Sequence, residues 1–246
     1  MKLLVTGMSG TVAPRLAARA RAADHEVVGW PRDRVSPDDP HASRSFLDDQ
    51  APDAIVHMAF GAESWAGQLA GHAARGNLPF VFTSTTMVFA PRPDGPYTIH
   101  SPRTAIDDYG AYKIRCEDAI WAANPDAMVA RLGYQMDLDG AGNTMVAHVD
   151  AEQSRAGSVR ASSAWIPACA FLDDTTRALL SLVTVPEAGL HHLDSNAATA
   201  WSYADILRRL MRVRPAPWRI VETHEPHHDQ RLIDSPRIAG LDTRLG

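Results

Sequence analysis

Cysteine is nearly absent from this chain of 246 residues. Cys116 and Cys169 are too few for a disulfide framework, and a reducing, cytoplasmic setting is the matching expectation. Long apolar runs are missing as well. No stretch approaches the roughly 20 residues of a membrane-spanning helix, and the amino terminus enters a strand-like run directly instead of a signal peptide. There is no excess of basic charge: the formal net charge is −5, with Arg and Asp scattered along the chain. That leaves no cationic stripe for nucleic acid. Internal repeats and a clear linker are also lacking. What remains is a composition of 45% hydrophobic and 22% charged residues. It suits one α/β domain, or one with a small appendage, working on a small molecule.

The first sixteen residues carry the most definite pattern. Leu3–Val5 is an apolar run long enough for a buried strand and too short for a helix. It breaks at Thr6-Gly7, and an Ala/Arg-rich helical stretch follows Gly10. Strand, glycine turn and helix is the setting in which a Gly-x-x-Gly-x-x-Ala fingerprint acquires meaning. Gly7 suits a sharp turn. Gly10, without a Cβ, lets the backbone approach a pyrophosphate in front of a helix N-terminus. Ala13 permits tight helix–strand packing, and Pro14 is tolerated in a first helical turn. An ordinary βα turn is the competing reading of the same residues.

A second strand is expected over His25–Trp30. The acidic residue that usually ends it and holds the adenosine ribose is missing, and Trp30-Pro31-Arg32 stands there instead. A guanidinium at Arg32 suits a 2′-phosphate through forked, charge-assisted hydrogen bonds, so NADP(H) is favoured, with NAD(H) the alternative. Residues 35–52 are polar, with one short helix near Phe46–Gln50. Strands are expected at Asp53–Ala59 and Pro79–Thr85, with an Ala/Gly-rich helix over Glu63–Arg75 between them. A turn-rich stretch, Ala90–Asp108, precedes a helix over Tyr109–Ala123 and a strand over Ala127–Tyr134. This alternation predicts a parallel sheet with right-handed crossovers. Beyond it the pattern loosens, with helices near Met145–Gln153, Phe171–Leu182 and Trp201–Met211, a strand near Ser158–Arg160 and another over Gly189–Leu193. The last thirty residues read as mostly irregular.

Tyr109 and Lys113 are four apart, so on a helix they share one face. An ammonium beside a phenol favours the phenolate, which predicts a lowered tyrosine pKa and proton exchange near neutral pH. A plain surface pair is the competing reading. Thr83-Ser84-Thr85 ends a strand twenty-four residues before Tyr109, and carboxyl ends of strands line the ligand crevice of doubly wound sheets. A hydroxyl there can hold a substrate oxygen against the tyrosine.

Taken together, Val5-Thr6-Gly7-Met8-Ser9-Gly10, Ser84-Thr85-Thr86-Met87-Val88-Phe89, Gly95-Pro96-Tyr97, Tyr109-Gly110-Ala111-Tyr112-Lys113 and Ala188–Leu193 resemble the extended short-chain dehydrogenase/reductases. Within them the match is to the dTDP-4-dehydrorhamnose reductase-like branch of the NAD-dependent epimerase/dehydratase group. The resemblance implies a Rossmann-type α/β fold, a doubly wound parallel sheet with a small C-terminal substrate-binding lobe. The division expected is a dinucleotide-binding domain over residues 1–134, with segments of about 158–193 returning to it, and a lobe over 135–246. By the same resemblance Thr85, Tyr109 and Lys113 are the catalytic set, with Tyr109 the proton donor. Lys113 also reaches the nicotinamide ribose. Gly7, Gly10, Thr11 and Val12 face the pyrophosphate, and Ala59 and Phe60 follow the strand that passes near the adenosine ribose, where Arg32 is the candidate read from the residues themselves. Thr86, Asn143 and Arg231 are the substrate-binding candidates. The implied reaction is NADP(H)-dependent reduction of a ketone on a sugar or nucleotide-sugar-like substrate. A sugar epimerase with a tightly held cofactor is the alternative enzyme, and an NADP-binding regulatory subunit the non-enzymatic one.

The chain departs from that branch in instructive places. His57-Met58-Ala59 replaces a common Asn-Ala-Ala. Only eighteen residues, Gly61 to Leu78, separate Phe60 from Pro79, where the branch has a long helix with a buried asparagine; the stretch from Arg34 to Asp53 is short too. One flank is trimmed, which puts the relay through that asparagine and the usual helix-mediated dimer in question, so a homodimer is left open. Thr86 stands where dehydratases of the group place an acid. His191, His192, His224, His227 and His228 match no zinc spacing and are read as solvated, so no metal is expected.

Overall fold

The computed structural model describes residues 1–93 and 95–246; Asp94, inside the turn-rich stretch, lies outside the described residues. In chain order, β1 (Lys2–Val5), α1 (Val12–Ala22), β2 (Glu26–Gly29), α2 (Pro40–Gln50), β3 (Ala54–His57), α3 (Glu63–Gly76), β4 (Phe80–Thr85), α4 (Asp108–Ala123) and β5 (Met128–Leu132) alternate strand with helix. After them come β6 (Tyr134–Met136), α5 (Met145–Ala156), β7 (Val159–Ser162), β8 (Trp165–Ile166), β9 (Cys169–Phe171) and α6 (Leu172–Thr184). The chain closes with β10 (Gly189–Leu193), α7 (Tyr203–Val213), β11 (Ile220–Thr223), β12 (His228–Asp229) and α8 (Asp242–Leu245). No described helix is long and apolar enough to cross a membrane.

Six strands form a Rossmann-type sheet in the order β10-β5-β4-β3-β1-β2. Its β1·β2, β1·β3 and β3·β4 pairs are parallel, with Leu4 beside Val28 on one side and Ile55 on the other. The order reverses between β1 and β3, the switch point at which doubly wound sheets open a ligand crevice. Only β2 lies beyond β1, whereas the dinucleotide-binding order 3-2-1-4-5-6 has two strands there. The trimmed flank is therefore a missing edge strand, and residues 35–53 contain α2 alone. That helix is longer than its expected Phe46–Gln50. Asp39 caps it, accepting from the His41 and Ala42 amides at 2.9 and 3.0 Å, with Pro40 in the first turn.

The core of this sheet is Leu4, Ile55, Phe80, Phe82 and Val129 against Trp65 and Leu69 of α3 and Ile120 of α4. A Cβ at Gly67 would stand 3.2 Å from the Ala119 carbonyl, so the glycines of α3 let it lie close on α4.

The chain divides into two compact units. The first comprises Met1–Val88, Ala105–Arg131 and Thr176–His191; the second comprises Phe89–Thr104, Leu132–Thr175 and His192–Gly246. This differs from the expected boundary at 134 with a return at about 158–193. Residues 158–175 stay in the second unit because their strands pair there: β7 with β11, β8 with β12, and β9 with β6. The last thirty residues are mostly irregular, as expected, and the short β11 and β12 within them form beside partners about sixty residues away. The second unit has its own core of Met136, Val149, Val159, Phe171, Leu207 and Trp218. Ser202 and Asp205 close α7 with a reciprocal capping box.

Candidate active site

The first unit gathers most of the residues singled out from the sequence along the carboxyl ends of its strands. Gly7, directly after β1, has φ +81°, a conformation that costs glycine little. A Cβ there would meet the Met58 carbonyl carbon at 3.0 Å and the Ala59 nitrogen at 3.1 Å. The turns after β1 and β3 thus touch through backbone alone. Gly10 closes the turn by donating to the Gly7 carbonyl at 2.8 Å, and α1 starts after Thr11 at Val12. This is the strand–turn–helix arrangement that presents backbone amides to an anion.

Thr6 and His57 explain the departure at the end of β3. The Thr6 hydroxyl accepts from the Met58 and Ala59 amides at 2.9 and 3.0 Å and lies 2.8 Å from His57 Nδ1. A hydroxyl with two incoming donors has one proton to give, so Nδ1 accepts it and the imidazole is neutral. Burial, with Lys113 nearby, lowers the His57 pKa to about 3, in keeping with that tautomer. His57 stacks on Phe82 at 5.5 Å and meets Trp65 edge-on at 4.7 Å. It is a satisfied core histidine tying the β1 turn to the β3 turn.

At the end of β2, Trp30 turns inward between Phe46 and Trp65 and donates its indole N–H to the Val35 carbonyl at 2.9 Å. Arg32 is exposed, and its Nη1 donates to the Phe60 carbonyl at 2.6 Å. Phe60 is 56% exposed and stacks on Tyr112 with ring centres 4.9 Å apart and planes 9° from parallel. Its ring lies 5.6 Å from that of Tyr109. Arg32, Phe60 and Tyr109 are thereby linked, joining the end of β2 to the tyrosine helix.

Tyr109 and Lys113 lie on α4, whose Asp107 cap accepts from the Gly110 amide at 2.8 Å. Gly110 decides how closely this helix approaches β4. A Cβ there would fall 2.0 Å from the Met87 carbonyl oxygen, in the helical turn Thr86–Val88 that follows Thr85. The close approach brings Tyr109 to the end of β4, where Thr85 acts to lower its pKa. The Thr85 oxygen also accepts from the Met87 amide at 3.2 Å, and Thr86 is buried beside it.

The expected lowering of the Tyr109 pKa is corrected by the structure. Burial pushes it up, and the Thr85 hydrogen bond offsets that only in part. Lys113 does not act on it as a bare charge, because its Nζ donates to the Thr83 carbonyl at 2.9 Å and is 3% exposed. Burial pulls Lys113 itself down to about 8. A phenol that stays protonated at neutral pH can donate a hydrogen bond or a proton and is not a base at rest.

Beneath this trio is an ionic group that sequence reading passed over. Glu117, one turn after Lys113 on the same face, receives Ser84 Oγ at 2.6 Å and Arg131 through Nε at 3.0 Å and Nη2 at 2.8 Å. Both charges are buried, at 0% and 2% exposure. The available signal was at Arg131, a charge that interrupts the apolar Met-Val-Ala-Arg-Leu of β5; Glu117, between Cys116 and Asp118 in a charged stretch, carried none. Gly110 carried a signal too, as a glycine in the first turn of a helix.

Asn143 and Arg231 belong to the second unit. Asn143 is exposed, directly before Thr144, which caps α5. Arg231 is held by Asp229 in a two-point ion pair at 2.9 and 2.7 Å and donates to the Ala197 carbonyl at 3.0 Å. Among the described residues no group of three His, Cys, Asp or Glu is placed to hold a metal ion.

Comparison with known proteins places these features in context. The family model described as RmlD substrate binding domain matches residues 63–244. A dTDP-4-dehydrorhamnose reductase of Mycolicibacterium smegmatis is 26% identical over 224 residues, covering 82% of this chain and 67% of that protein. A probable low-salt glycan biosynthesis reductase of Haloferax volcanii is 28% identical over 160 residues, or 54% of this chain. The chain spans 53% of that relative's length. Among solved structures, a dTDP-4-dehydrorhamnose reductase from Clostridium acetobutylicum superposes with a TM-score of 0.80 at 16% identity, over 100% of this chain and 93% of that one. The Bacillus anthracis dTDP-4-dehydrorhamnose reductase, in complex with NADP, gives 0.76 at 14% identity, over 91% and 84%.

Proposed function

The chain belongs to the RmlD substrate binding domain family, and from that premise we propose that it reduces a ketone on a sugar or nucleotide-sugar-like substrate with NADP(H). The observation that carries this reading is the placement of Tyr109 on α4, held by Gly110 close against the turn that follows Thr85, with Lys113 buried one turn further along the same helix. The turn at Gly7 and Gly10 fits a dinucleotide, because it joins the end of β1 to the N-terminus of α1 with Gly10 donating back to the Gly7 carbonyl. Arg32, exposed at the end of β2, fits a 2′-phosphate better than a ribose diol.

When bound, the nicotinamide supplies the hydride. Thr85 holds the substrate oxygen, and Tyr109, its pKa raised above the ordinary phenol value, donates its phenolic proton to that oxygen. Lys113, charged below about pH 8, stabilises the tyrosinate left behind. Thr86, Asn143 and Arg231 are the substrate-side residues of this reading. Arg231 would act through whatever its pair with Asp229 leaves open.

Titration with NADPH and NADH, followed by nicotinamide fluorescence, tests the cofactor. Tight NADPH binding that weakens in Arg32→Ala is expected, and binding of neither nucleotide would refute the reading. In a keto-sugar reduction assay Tyr109→Phe should lose most of kcat with cofactor affinity retained. Full turnover in that variant would remove Tyr109 as proton donor.

A further inference from the structure

Phe60 is an exposed aromatic ring held from three sides, which exposure alone does not explain. Its carbonyl accepts from Arg32 Nη1 at 2.6 Å. Next to it, the Tyr112 hydroxyl donates to the Gly61 carbonyl at 2.9 Å and receives the Gly61 amide at 3.2 Å. Its ring lies flat on Tyr112. The Lys113 ammonium sits within the aromatic group so formed, 5.7 Å from the centre of the Phe60 ring, 5.8 Å from Tyr112 and 4.5 Å from Phe82. Phe82 is fully buried, whereas Phe60 faces solvent, and Lys113 is 3% exposed. The lysine has an inner aromatic wall and an outer one, and the outer wall is pinned by Arg32.

We infer that Phe60 is a specificity-determining cover over Lys113, and that the Arg32–Phe60 hydrogen bond makes its release depend on a 2′-phosphate. The inference rests on the NADP(H) reading above. A phosphate dianion is a far stronger acceptor for a guanidinium than a neutral peptide carbonyl. When Arg32 turns to a 2′-phosphate, the Phe60 carbonyl loses its donor, the segment after β3 loosens, and Lys113 becomes reachable from the crevice. A dinucleotide without that phosphate leaves the clasp closed. Discrimination against NAD(H) then arises twice, once in the missing phosphate contact and once in the lysine that stays covered.

The sequence supplies a direct probe, because Lys2 and Lys113 are its only lysines. With its pKa near 8, Lys113 is substantially a free amine in mildly alkaline buffer, so coverage sets its acylation rate. The intact protein is pulsed with an amine-acylating reagent, and Lys113 modification is read by peptide mass spectrometry against Lys2. Loss of a charged hydrogen bond shifts an opening equilibrium by about tenfold or more. Arg32→Ala should therefore speed Lys113 acylation by about that factor, and Phe60→Ala, which keeps the carbonyl but removes the covering ring, should speed it as well, while Lys2 stays constant in both, which also reports that the fold is intact. Adenosine 2′,5′-bisphosphate should speed it in the wild type and not in Arg32→Ala, and AMP should do neither. An unchanged rate in Phe60→Ala removes Phe60 as the cover. An unchanged rate in Arg32→Ala, or in wild type shown by calorimetry to bind the bisphosphate, removes the coupling. Failure of the bisphosphate to bind at all overturns the NADP(H) reading and the phosphate trigger, while the Arg32→Ala rate still decides whether a clasp exists.

Discussion

Lys113 should cost the fold stability at neutral pH and return it in alkali, and Lys113→Met isolates that effect. The substitution keeps an unbranched side chain of similar length and removes only the titrating group. Burial lowers the lysine from 10.5 to about 8, so the folded protein sheds this proton before the unfolded chain does. Below about pH 8 the full penalty of burying the ammonium applies. Between there and about pH 10.5 the unfolded chain binds the extra proton, and stability rises with pH. At about 1.4 kcal/mol for each pH unit the whole effect is about 3 kcal/mol, of which about 2 kcal/mol falls between pH 7 and pH 9.5. Urea unfolding of wild type and Lys113→Met at those two pH values is the assay, and the difference between the proteins cancels the other titrating groups. Wild type should gain about 2 kcal/mol on the variant over that interval. A difference independent of pH would mean that the ammonium is not desolvated as its surroundings require.

Three further perturbations test the framework around the site. Gly110→Ala should destabilise the protein by at least about 2 kcal/mol in urea unfolding, because its Cβ meets the Met87 carbonyl and α4 must back away from Thr85; unchanged stability would show that α4 is not in that close register. Glu117→Ala strands Arg131 and Ser84 in the interior and should cost about 3–5 kcal/mol, whereas a loss under 1 kcal/mol, as for an exposed pair, would contradict the buried geometry. Thr6→Val leaves the Met58 and Ala59 amides without their acceptor and should cost about 2 kcal/mol or more; it should also let His57 change tautomer, observable in its ring nitrogen chemical shifts.

Much of the site was legible because its signals are local. The turn at Gly7 and Gly10 sits between an apolar run and a helical stretch, and the Tyr109/Lys113 pair follows from helical periodicity. Elements with strong local determinants, such as β10 at Gly189–Leu193, matched their expected bounds. Those that need a distant partner did not: β11 and β12 form only against β7 and β8. The lowered tyrosine pKa was inferred from spacing alone. It failed because spacing reports nearness and says nothing of desolvation, or of the Thr83 carbonyl that holds the lysine.

The sequence by itself determined the alternation of strand and helix, the glycine turn, the hydroxyl at the end of β4 and the shared face of Tyr109 and Lys113. Each depends on residues within one or two turns of one another. Only the tertiary structure decided the sheet order with its single strand beyond β1, the neutral His57 on Thr6, the buried Glu117–Arg131 pair and the place of Phe60 over Lys113. Those features join groups from 14 to 62 residues apart. Their energies come from burial and from which polar partner each group finds when water is excluded, and no local pattern records that choice.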